Sequence, residues 1–160
     1  MRTNYLKEVD PKTVFYTKDA LRDWVLDNPE QLEKAFGEEL VCTKYNPKEL
    51  PILRPDVYTL ENRTCKTIAI ILKLGEITAE DFLRYFTVAA LNNINKMVWI
   101  VDKFDNVNHY ILEWLNDHSK GHIEFIVLKL STYELHNKQI ATKLERLKKI
   151  PVPTVYEDLI

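Results

Sequence analysis

Three apolar runs of strand length, separated by two stretches of helical periodicity, limit what this chain can fold into. They are KTIAIILK at 66–73, KMVWIV at 96–101 and HIEFIVLKL at 122–130. A strand with one wet face alternates apolar and polar residues, whereas one buried on both faces reads as a nearly unbroken apolar run. Between the runs lie TAEDFLRYFTVAALN and DNVNHYILEWLNDHS, both amphipathic. Strand, helix, strand, helix, strand predicts right-handed crossovers and a sheet covered by helices.

The upstream sequence adds a second layer. Thr17 opens TKDALRDWVLDNPEQLEKAFG, in which Leu21, Trp24, Val25, Leu32 and Phe36 recur at helical spacing. Asn28-Pro29 divides it into two short helices, with Asn28 capping the second and Pro29 at its first position. Gly37 is the stop. ELVCTKY (39–45) and LRPDVYTL (53–60) read as strands, with NPKELP a loop between them. The turn ENRT joins LRPDVYTL to KTIAIILK as a hairpin. Thr78 and Asp81 form a box-like helix start, and Asp105 starts the last amphipathic helix.

The expected fold is therefore α/β (α+β), a mixed β-sheet core flanked by helices on both faces. Residues 1–16 read as an N-terminal arm, the first ten or so polar and loosely held, and 17–135 as the main domain. Residues 136–160 read as a C-terminal helix, NKQIATKLERLKKI, followed by the extended tail PVPTVYEDLI. Lys143, Arg146, Lys148 and Lys149 would suit the negative end of that helix.

Composition narrows the function classes. A chain of 160 residues, 46% apolar, is one domain with a real core. Three glycines and no Gly-rich phosphate loop exclude the dinucleotide and P-loop signatures. With a net charge of −2, nucleic-acid binding would need a local basic patch. Cys42 and Cys65 have no C-x-x-C spacing, which suits a reducing compartment and gives no zinc motif. MRTNYLKEVD lacks the apolar segment of a signal peptide and no run reaches membrane-spanning length, so the expectation is a cytoplasmic protein without membrane contact. His109, His118, His122 and His136 share no ligand spacing; Trp24, Trp99 and Trp114 are expected in the core.

The hairpin carries the candidate chemistry. Strand alternation puts residues 71 and 73 on one face, and a tight turn places Asp56 beside or diagonal to residue 71. Lys73 as a strand-ending lysine reaching solvent is the plain alternative.

RPDVYTL-ENRT-CKTIAIILK, EDFLRYFTVAAL, KMVWIVDKFDNVNHYILEWLNDH and HIEFIVLKL, in that order, resemble an uncharacterised bacterial and archaeal family of restriction-endonuclease-like domains in the PD-(D/E)xK nuclease-like superfamily. Its pattern is a strand R-x-D, a turn, a strand ending E-x-K and a helix Q-L-x-x-Y-A-A. Then come V-V-W-I-A, a helix with L-x-W-L-N, and a strand I-x-F-F. ALRDWVLDNPEQLEKAFGEELV looks like the first helices of the same superfamily, including archaeal single-strand-directed endonucleases. The resemblance spans about Thr17 to Leu135.

The resemblance implies a restriction-endonuclease-like fold and a site in which two carboxylates bind Mg²⁺ through oxygen. The metal would activate water, and the lysine would position it or neutralise phosphate. Asp56 and Lys73 match that pattern. The second acid position is Ile71, and the helix glutamine is Arg84, a fixed cation. Two readings follow from the resemblance. One is a catalytically degenerate domain, without cofactor, that binds nucleic acid or a protein partner (a second copy included) and uses Lys73 and Arg84 as an anion pocket. The other is a Mg²⁺-dependent endonuclease in which Asp56 and Lys73 keep their roles. Its second acid is relocated to Glu76, Glu80 or Asp81, or supplied by Glu30 or Glu33. A third reading, an interaction module without nucleic-acid contact, also suits the net charge. Acids at a helix start are favoured by the helix dipole alone, so their presence there does not choose among these.

Overall fold

The three apolar runs become adjacent strands at the centre of one sheet. The computed structural model describes residues 7–43, 55–64, 66–91, 94–118 and 123–147. Strands β2 (Leu40–Thr43), β3 (Val57–Glu61) and β4 (Thr67–Lys73) form an antiparallel meander. β4, β5 (Lys96–Val101) and β6 (Glu124–Glu134) are parallel, joined through α4 (Ala79–Leu91) and α5 (Asn106–His118). The sheet is thus mixed, as expected. The predicted span 96–101 is reproduced as β5, and β6 runs four residues beyond the predicted Leu130.

Both faces of the central strands are buried, which explains their unbroken apolar content. Ile68, Ile70 and Leu72 of β4 pack with Val98, Ile100 and Leu128 beneath α2 (Lys18–Asp27) and α3 (Pro29–Phe36). Ala69 and Ile71 pack on the other face with Met97, Trp99 and Val127 beneath α4 and α5. Helices therefore flank both faces. Thr17 caps α2 through Ala20 N, as its position predicts. Asn28 stands at the start of α3, but its side-chain amide donates back to Trp24 O instead of capping forward. Gly37 ends α3 in the left-handed region at φ +96°.

Both ends of the chain differ from the sequence expectation. The first ten or so residues are expected to be loose, yet from Lys7 on, where the described residues begin, β1 (Lys7–Val9) pairs antiparallel with β6, Lys7 opposite Glu134. Asp10 then caps α1 (Pro11–Val14), and Phe15 enters the core at 7% exposure. The C-terminal helix is not formed: Ile140–Arg146 is strand β7, paired antiparallel with β6. The spacing of Ile140, Leu144 and Leu147 mimics a helix. The long free edge of β6 nonetheless needs hydrogen-bond partners, and tertiary pairing of this kind overrides weak propensity. Residues 148–160, including the expected tail, lie outside the described residues, as do the loop 46–51 and His122.

Where β7 stops, a side chain takes over. Asn116 of α5 accepts from Phe125 N and donates to Phe125 O, at 2.9 and 3.3 Å, and so covers the edge of β6 as a strand would. Trp114, two residues earlier on α5, is not core: it is 57% exposed and stacks on His118 at 4.2 Å between ring centroids.

Candidate functional site

The hairpin register puts Asp56 where the sequence argument placed it. Val57 pairs with Ile70, and Asp56 N donates to Ile70 O, so the next position along faces Ile71. The Asp56 side chain then turns into the ladder: its Oδ2 accepts from Leu72 N at 2.8 Å. Its Oδ1 faces two cations on α2, Lys18 Nζ at 3.4 Å and Arg22 Nη2 at 3.7 Å. Both carboxylate oxygens are thereby engaged.

Lys18 and Arg22 were missed by the sequence reading, although a signal existed. They are four apart on one face of α2, and Lys18 stands in its first turn, where the dipole disfavours a cation. A carboxylate brought to that face by the hairpin accounts for them. Arg22 also pairs with Asp19 at 2.9 Å, and its buried Nε has no acceptor among the described residues.

Lys73 lies on the other face, with Ile71. Its Nζ is 3.4 Å from Asp81 Oδ2, so of the candidate relocated acids Asp81 is the one the fold brings to the lysine. Asp81 belongs to the helix start predicted from sequence: Thr78 N donates to Asp81 Oδ2, and Asp81 N donates to Thr78 Oγ1. Burial alone would raise its pKa, but the Thr78 amide and Lys73 outweigh that and hold it below the ordinary carboxylate value. Glu76 and Glu80 are exposed. Glu30 is exposed in the first turn of α3, whose buried residues Leu32 and Phe36 belong to the opposite face of the sheet. Glu33 accepts from Leu40 N and ties α3 to β2. Neither is brought to Lys73.

Tyr85 joins the two halves electrostatically. Burial, then the charges of Asp81 and Asp56, push its hydroxyl up to about 12 against the opposing effect of Arg84, which is exposed on the same helix. Because the unfolded chain releases this proton near pH 10 and the folded chain holds it, folding stability falls as pH rises between those values. Urea unfolding at alkaline pH should show the parent losing roughly 2 kcal/mol that Tyr85→Phe does not lose. Equal alkaline slopes for the two proteins would remove Tyr85 from the cluster.

Ile71 is buried at 2% exposure against Trp99 and Tyr85, an apolar side chain where the motif has an acid. Among the described residues no group of three or more His, Cys, Asp or Glu is placed to hold a metal ion. Asp56 fits Mg²⁺ poorly on chemical grounds too: one oxygen accepts from the Leu72 amide and the other faces two cations, whereas a hard dication requires free oxygens; Asp81 is engaged through Oδ2. Lys18 and Lys73, on opposite faces of the sheet, keep side-chain exposures of 52% and 31%, so each stays open to solvent while paired.

A second charged cluster occupies the other end of the sheet. Lys96 Nζ is 3.0 Å from Glu61 Oε2 and 3.7 Å from Glu124 Oε1, and lies over the Phe36 ring. Arg146 reaches Phe36 O. These contacts clasp α3 to β3, β5, β6 and β7, a structural role that needs no ligand.

No helix among the described residues is long and apolar enough to cross a membrane. Comparison with family models, with curated proteins and with solved structures gives no match.

Proposed function

We propose that this protein is a catalytically degenerate domain on a restriction-endonuclease-like scaffold that binds the phosphate backbone of nucleic acid at the Asp56 end of the β3–β4 hairpin. The observation that carries this reading is the company Asp56 keeps. It sits against Lys18 and Arg22, while the neighbouring acid position is the buried Ile71. A former metal ligand has become the anchor of two cations, of which Lys18 stays half exposed and able to meet a phosphate, while Lys73 and Arg84 add positive charge on the α4 side of the sheet.

The second reading is a metal-dependent phosphodiesterase in which Asp81 replaces the missing acid, and the 3.4 Å approach of Asp81 to Lys73 favours it. One set of titrations separates the two. Labelled DNA and RNA, single- and double-stranded, should bind with an affinity that survives chelation and falls with salt. Lys18→Ala and Arg84→Ala should each weaken binding on every sequence and lower the log–log salt slope by about 1. Incubation with Mg²⁺ or Mn²⁺ should leave the strands intact. Cleavage abolished by both Asp56→Ala and Asp81→Asn would establish the enzyme instead. If no nucleic acid binds, a protein-interaction role takes over, for which Leu83, Val107 and Trp114 are exposed.

A further inference from the structure

Tyr16 is the most exposed large apolar side chain among the described residues, at 85%, while its neighbour Phe15 is buried at 7%. It stands at the junction of α1 and α2, one residue before the Thr17 cap. Scattered exposed aromatics are ordinary on protein surfaces. This one is set at the rim of a cleft of about 150 Å³, whose other lining residues include Phe15, Leu21, Leu72, Leu74 and Lys18.

The cleft and the Asp56 cluster are contiguous through two shared residues. Lys18 lines the cleft and reaches Asp56 Oδ1; Leu72 lines it and donates its amide to Asp56 Oδ2. A ligand whose phosphate meets Lys18 therefore has its next chemical group at an apolar slot with an aromatic rim. A cavity of about 150 Å³ is of the size that takes one benzene-sized ring.

We propose that this cleft is a base-stacking subsite that takes one unpaired nucleobase against Tyr16, so that the nucleic acid recognised is single-stranded. The inference rests on the phosphate-binding reading of the Asp56 cluster and adds the strandedness of the ligand. In a duplex each base is already stacked on both sides, and only an unpaired base is free to insert. Stacking on a ring with an apolar wall uses the π-face that every base has, so the site is tolerant of sequence. An apolar side chain of a protein partner would fill the slot equally well but would have no use for the flanking cations.

The test is a set of anisotropy titrations of the full chain with fluorescein-labelled oligothymidylate, with the same oligonucleotide annealed to its complement, and with inorganic polyphosphate as competitor. Tyr16→Ala should weaken oligothymidylate binding roughly 5- to 150-fold, the range for loss of one base–aromatic stack, and Tyr16→Phe should retain it. Duplex affinity, competition by polyphosphate and the salt slope should be unchanged. The substitution is at an exposed position and leaves the fold intact. A change within about twofold on the single strand overturns the subsite and spares the phosphate reading. An equal loss on single strand, duplex and polyphosphate overturns it also, by making Tyr16 part of the phosphate contact. If neither oligothymidylate nor polyphosphate binds the parent, the phosphate reading falls and the subsite with it.

Discussion

Ile71→Glu is expected to destabilise the protein by roughly 3–4 kcal/mol at neutral pH. Ile71 is 2% exposed, packed with Tyr58, Phe82, Tyr85 and Trp99, and in register with Trp99 on β5. A carboxylate there loses its hydration and gains no free cation, because Lys73, the nearest on that face, is already paired with Asp81. Asp56 and Asp81 nearby add like charge. The introduced carboxyl should therefore hold its proton well above the usual range, and the cost should shrink as pH falls and the group is neutralised. Ile71→Gln, of similar shape and uncharged, should lack that pH dependence.

Divalent metal turns this destabilisation into a test of ancestry. If the hairpin keeps the geometry of a two-carboxylate site, Mn²⁺ or Mg²⁺ should bind the folded Ile71→Glu protein and restore about 2.7 kcal/mol at a hundredfold excess over its dissociation constant. The parent and Ile71→Gln should not respond. A parent that is itself stabilised by the metal would mean that Asp56 and Asp81 already form a site, against the degenerate reading. No response in any of the three would mean that Asp56, pinned by Lys18, Arg22 and the Leu72 amide, has no oxygen to give.

What the sequence made legible follows from the range of each physical signal. The order of elements from 17 to about 130 was readable because strands buried on both faces and amphipathic helices announce themselves locally, and Thr17, Asn28-Pro29, Gly37 and Thr78 punctuate them. The register of Asp56 against residue 71 was readable because a hairpin is also local. Contacts between distant segments were not. Nothing near Lys7 announces a partner at Glu134, and nothing near Ile140 shows that β6 has a free edge there. Lys18 and Arg22 reach a carboxylate more than thirty residues away, and only the unfavourable place of Lys18 at the start of a helix hinted at it. Trp114 was misplaced because the periodicity locates an apolar face only to within about one residue, and Leu115 is the residue that faces the sheet.

Trp99→Ala is expected to cost roughly 3–5 kcal/mol, and its consequences should reach the site. The indole is 1% exposed and meets Phe82 at 4.7 Å, Tyr85 at 5.5 Å and Phe125 at 5.6 Å between ring centroids, linking α4 to the sheet. Its Nε1 has no acceptor among the described residues, so the ring acts through shape and area and not through a hydrogen bond. Trp99→Phe therefore removes no bond, relieves one desolvated donor, and should cost only about 1–2 kcal/mol. Phe82 and Tyr85 bracket Arg84 and follow Asp81, so a slackened contact with Trp99 frees the first turns of α4. Asp81 then leaves Lys73 more often. Denaturant unfolding gives the stability difference, and the alkaline titration of Tyr85 supplies the local readout: its pKa should fall from about 12 toward its ordinary value in Trp99→Ala while the molecule is still folded. A large stability loss with the Tyr85 titration unmoved would mean that α4 is held at its start by the Thr78–Asp81 cap and Lys73 alone, and that the site is insulated from the core beneath it.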